Sequence, residues 1–112
     1  MKIISMRAQN EYTHLESDAK LFDCLDLALC TLGQQEKEFV IYALESRYHI
    51  SRKNISADPD KLVTILEGLL GPFASASVII YFVENIKREF GLSFEGKPSI
   101  VQTFELALRS RS

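Results

Sequence analysis

Two histidines and two cysteines are the side chains that most invite a chemical reading of this sequence. A phosphotransfer histidine stands in the pattern His-x-x-Lys-Gly. His14 is followed by Leu15, Glu16 and Ser17, and His49 by Ile50, Ser51 and Arg52, so neither fits. Cys24 and Cys30 are six positions apart in a stretch that reads as helix. Six residues turn a helix by about 600° and climb about 9 Å, so the two thiols face different ways and cannot bridge. They lack the CxxC spacing of a zinc site, and neither histidine stands i, i+4 from another ligand. Two reduced, core or half-buried thiols are expected.

Asp18, Asp23 and Asp26 crowd one helix, but only the last two are helical neighbours, and no calcium-loop pattern surrounds them. There is no Gly-x-Ser-x-Gly elbow, no phosphate-cradling glycine loop and no Cys–His arrangement. No catalytic, cofactor-binding or metal-ligating residue is therefore assigned, and the expectation is a non-enzyme. Arg47, Arg52 and Lys53 flank Tyr48 and His49 and are the one candidate for contact with phosphate or nucleic acid. A solvated helix end whose cations complement the dipole explains the same residues.

The elements that position these groups can be read from spacing. The chain has 112 residues, 46% of them hydrophobic and 25% charged, with only five Gly and three Pro. That is one domain with a real core, and it is neither disordered nor collagenous. A net charge of −2 disfavours a globally basic nucleic-acid binder. The first six residues hold too short an apolar run for a signal peptide, and no run of 18 apolar residues occurs, so a cytoplasmic protein with no membrane association is expected.

Residues 1–12 have weak periodicity and read as a tail. Thr13 to Glu16 fits a capping box, with Ser17 or Asp18 as rival caps. Phe22, Leu25, Leu29 and Leu32 repeat at helical spacing, widened by Leu21 and Ala28, and Gly33 is the expected left-handed stop. A second helix opens at Gln34 or Gln35, with Val40, Ala43, Leu44 and Tyr48 on one face and Phe39 and Ile41 beyond it. Ile50 and Ile55 pin the connector that follows. Asp58-Pro59 caps a third helix carrying Leu62, Ile65, Leu66, Leu69 and Leu70, which Gly71-Pro72 ends.

The fourth helix is apolar nearly all round. Ala76, Ile79, Ile80, Val83, Ile86 and Phe90 read as one face, and Val78, Tyr81 and Phe82 fill much of the remainder. Such a helix is central in its bundle or faces a second subunit. Small residues from Ala74 to Ser77 permit close backbone approach. Gly91 stops the helix and Leu92 packs back. Ser99 and Gln102 form a second capping box before a short helix carrying Ile100, Val101, Phe104, Ala107 and Leu108, and residues 110–112 read as a tail. The fold expected is all-α, a single domain over 13–109, with four main helices and a short C-terminal fifth.

The order and spacing of this punctuation over roughly residues 25–92 resembles a small archaeal family of helical modules, the Nitrosopumilus-type output domain. The features that carry the resemblance are Leu32-Gly33 followed by Lys37, Ile41-Tyr42 with Leu44-Glu45, Ile50 and Ile55 leading to Pro59, then Leu66, Leu70-Gly71, Ala74 and Phe90-Gly91-Leu92. The resemblance implies a non-catalytic signal-output module, found at the ends of archaeal signalling proteins or alone, that acts by contacting something. It brings no catalytic residues to transfer. Pro72-Phe73 departs from the smaller residues expected after Gly71, and with no sensor or receiver segment in this sequence the module would act in trans.

Three functions follow as expectations. The leading one is a protein-interaction module, self-associating as a homodimer, that docks an apolar helix face through Phe73, Tyr81 and Phe82. The second is a nucleic-acid-associated regulator using Arg47, Arg52 and Lys53. The third is a sensor with an apolar-ligand pocket between the second and fourth helices, lined by Phe39 and Tyr42.

Overall fold

From Lys2 to Leu29 the chain has neither glycine nor proline, and a single helix, α1 (Lys2–Leu29), runs the whole way. The computed structural model describes residues 2–94 and 96–111, with side chains over 16–94 and 96–110. Among the described residues every regular element is helical. The expected tail at 1–12 and the expected start at Thr13 give way to this longer helix. A capping box needs a chain that leaves the helix upstream, and Met6, Arg7, Ala8, Gln9 and Glu11 are good helix formers. The inner stripe of α1 is Leu21, Phe22, Leu25, Ala28 and Leu29, all buried.

A 3₁₀ turn, Cys30–Leu32, ends α1, and Gly33 follows at φ 103°, ψ 161°. This is a conformation essentially reserved for glycine, though not the left-handed helical one expected. Helix α2 (Gln34–Ser46) buries Val40, Ala43 and Leu44. His49 takes a positive φ of 55°, which turns the chain so that the Ile50 amide donates to the Leu44 carbonyl at 2.8 Å. The connector then ties itself: Asn54 Nδ2 donates to the His49 carbonyl at 2.8 Å, and the Ser51 amide donates to Asn54 Oδ1 at 2.7 Å. Ile50 and Ile55 are buried as expected.

Asp58 caps helix α3 (Pro59–Phe90) by accepting the Lys61 amide at 3.1 Å, with Pro59 in the first turn. The helix is broken at Gly71, whose φ of 85° and ψ of 171° lie outside helical space. It thus has two halves, 59–70 and 72–90. Gly91 closes it in the left-handed conformation, and the Leu92 amide reaches back to the Lys87 carbonyl at 2.9 Å. Ser99 and Gln102 form the reciprocal capping box, at 3.0 and 3.1 Å, that starts α4 (Ile100–Arg111). Helix α4 continues past Arg109 into the expected tail.

Helix α3 packs against both α1 and α4, which also touch each other, while α2 packs on α1 and its 3₁₀ turn. The core therefore runs along α3. Phe82 meets Phe104 of α4 edge to face, with ring centroids 5.7 Å apart and planes at 84°. Asn85, three residues after Phe82, is buried as well. Its Nδ2 donates to the Cys24 carbonyl of α1 at 3.1 Å, and its Oδ1 accepts from Arg88 at 2.5 Å. A buried amide with both ends engaged joins α3 to α1 without an orphaned polar atom.

The candidate docking face

The half of α3 after Gly71 decides where an interaction surface can lie. Its buried positions are Ser75, Val78, Phe82, Asn85 and Ile86. This stripe is rotated from the one expected. Of the face read from spacing, Ala76 and Ile80 are exposed, Ile79, Val83 and Phe90 are half-buried, and only Ile86 is buried. The physical reason is contrast: a helix apolar on most sides gives its sequence no polar face by which to fix its rotation. Contacts with α1 and α4 fix it instead.

The rotation sorts the three expected interface residues. Phe73 is 87% exposed and Tyr81 50% exposed, while Phe82 is 0% exposed. Phe82 is thus removed from the interface set, since its ring is consumed by Phe104 and the core. Ile80, on the apolar face read from spacing, is 60% exposed and joins Phe73 and Tyr81 on the outside. Phe73, Ser77, Ile80 and Glu84 recur at i, i+4, i+7, i+11, so one stripe carries them. No charged residue occurs between Glu67 and Glu84. Helix α3 is long and apolar enough, by length and composition, to cross a membrane, and only 22% of its most apolar 18-residue window is buried.

Beside the stripe lies a groove of about 160 Å³ between α3 and the connector to α4. Ile79, Ile80 and Val83 form one wall, and Phe94 and Pro98 the other, with Glu84 and Lys97 at the rim. Phe94 is held in part by Lys87, whose ammonium lies 5.3 Å from the ring centroid. Sequence reasoning missed this groove, because it needs the connector to fold back on a helix whose rotation was undetermined.

The basic segment is arranged differently from the expectation. The Arg52 guanidinium pairs with both carboxylate oxygens of Asp23 on α1, one contact being Nη2 to Oδ2 at 3.1 Å. That hydrogen bonding holds Arg52 further above its already high range. Arg47 and Lys53 remain exposed, with no counterpart of that pairing described. Asp26 pairs with Lys37 at 2.7 Å, which raises the lysine in the same way. Asp18 is buried and accepts the Ser56 amide at 3.0 Å. The three aspartates are three separate anchors, two for α2 and its connector and one for the turn before α3.

Phe39 and Tyr42, expected to line a pocket, are 48% and 70% exposed on α2. The rotation of α2 that buries Val40, Ala43 and Leu44 carries them outward. Cys24 is buried and Cys30 exposed, with no disulfide between them. Burial pushes the Cys24 thiol up to about 12, with the charges of Glu89 and Asp23 adding to the effect. The His14 side chain lies outside the described residues, and His49 is exposed on the connector. No protein-family model matches the chain, and no curated protein or solved structure is detectably similar to it.

Proposed function

We propose that the chain is a non-catalytic protein-interaction module, of the signal-output kind its sequence resembles, acting in the cytoplasm through the outer face of the second half of α3. In this reading the halves of α3 count as separate helices, which gives four main helices and a short fifth. The observation that supports it most is the exposure of Phe73, Ile80 and Tyr81 along one uncharged stretch whose opposite face is fully packed. Singly exposed apolar residues are ordinary, but a contiguous apolar face with a polar rim is characteristic of a docking surface. Glu84 and Lys97 supply the rim and orient the partner.

A protein partner fits better than a bilayer. Spanning would pull Leu62, Leu66, Val78, Phe82 and Ile86 out of the core and carry Asn85 away from the Cys24 carbonyl. A nucleic-acid role for Arg47, Arg52 and Lys53 has less support, because Asp23 already engages the guanidinium that would have to reach phosphate.

Photo-crosslinking tests the proposal. Benzoylphenylalanine replacing Ala76 should give protein adducts that a second change, Ile80→Glu, removes. The same probe replacing Lys53 should give none above background. Adduct yields at 76 no higher than at 53 would contradict the docking face.

A further inference from the structure

We propose that the occupant of this face is a second copy of the chain, paired antiparallel about a two-fold axis near Ser77, with Phe73 of each protomer seated in the groove of the other. The inference rests on the docking reading above and names its partner. Phe73 is a knob without a hole: its ring is 87% exposed at the start of the 72–90 half. The groove is a hole without a knob. Its volume of about 160 Å³ suits a phenyl ring, since an apolar cavity of ~150 Å³ accommodates benzene.

Knob and groove stand in a register that closes. Phe73 precedes Ser77 by about 6 Å along the helix axis. The helical wall of the groove, Ile79 to Glu84, lies from about 3 to about 10 Å beyond Ser77. A two-fold rotation at Ser77 therefore brings each ring level, along the helix axis, with the middle of the opposing groove, both at once. An isologous interface requires this self-complementarity. The residues at the axis, Ala76 and Ser77, are small and exposed, so the two backbones can approach there.

Charge permits the pairing, and area sets which further residues must join it. No charge falls between Glu67 and Glu84, so no like charges meet at the centre. The same rotation brings Glu84 beside Leu70 of the other copy, where no acidic side chain stands within two residues to repel it. Fully burying an aromatic side chain hides ~150–250 Å². The exposed parts of Phe73 and Tyr81 thus offer roughly 200–350 Å² of the ~800 Å² per partner that a stable interface uses. The remainder must come from Ile80, Ala76 and the groove walls, so the connector as well as the helix takes part. An unrelated partner could fill the groove or cover Phe73 alone, whereas a second copy satisfies both at once.

Analytical ultracentrifugation of the full chain tests the proposal. The wild type should sediment across the micromolar range as a dimer, at twice the protomer mass of 12.7 kDa. Phe73→Ala and Ile80→Glu should each weaken the dimer by more than about tenfold while leaving the helical circular-dichroism spectrum unchanged. Mixing the two variants leaves one intact ring-in-groove contact per heterodimer, so the mixture should associate more tightly than either variant alone. In a Cys30→Ser background, Ser77→Cys should oxidise to a disulfide-linked dimer.

A wild type that remains a monomer, a Phe73→Ala dimer as tight as the wild type, or a mixture no tighter than its components would overturn the inference. So would a monomeric wild type that co-sediments with phosphatidylcholine vesicles through Phe73. A monomer that still gives Ile80-dependent adducts from position 76 fails the self-pairing alone, whereas a monomer without adducts fails the docking face as well.

Discussion

Phe82 and Tyr81 are neighbours in sequence, both aromatic, on the same turn of the same helix. One is fully buried against Phe104, and the other has half its surface in water. The contrast between the inner and outer faces of α3 organises the whole molecule. The inner face joins α1 to α4 through Val78, Phe82 and Ile86, with Asn85 engaged at both ends of its amide. The outer face has equally apolar side chains, but Phe73, Ile80 and Tyr81 there keep half or more of their surface exposed. Apolar character is therefore not what separates core from surface here; the positions of α1 and α4 are.

The largest effect should come from breaking the inner face. Phe82→Ala removes the edge-to-face contact with Phe104 and leaves a cavity, and it should cost about 3–5 kcal/mol in a urea titration. The matched change on the outer face, Tyr81→Ala, should cost less than about 0.5 kcal/mol when both proteins are compared as protomers at high dilution. Similar losses at the two positions would abolish the contrast.

The two thiols repeat the comparison on α1 and its 3₁₀ turn. Cys30 is exposed and should react at once with a chromogenic disulfide reagent, while Cys24 should react only on unfolding. The raised Cys24 value also has a pH signature. The folded thiol keeps its proton up to about 12, whereas the unfolded thiol loses it near its ordinary value of 9.0. Between those values unfolding releases a proton, so stability falls as pH rises, and below them Cys24 contributes no slope. Urea midpoints of wild type and Cys24→Ala across that window should diverge in slope.

Much of the architecture was legible because it rests on local chemistry. Asp58-Pro59, the Ser99–Gln102 box and Gly91-Leu92 each act within a few residues, and the hydrogen bonds expected of them are present. The stripe on α1 was legible because Asp23 and Asp26 give that helix a polar side. The start of α1 was not, since a capping box is a signal only where something else ends the helix before it. Phe82 was misplaced for want of a polar face on 72–90. The Asp23–Arg52 pair and the groove between α3 and the 93–98 connector join residues far apart in sequence, which no spacing rule reaches.

Hydroxyl-radical footprinting of the full chain at high dilution measures the division of α3 most directly. Phe73 and Tyr81 should oxidise readily in the folded protein, whereas Phe82 and Phe104 should oxidise only after denaturation. Oxidation of Phe82 as fast as Tyr81, or protection of Phe73 in the isolated protomer, would contradict the division into one packed face and one exposed face.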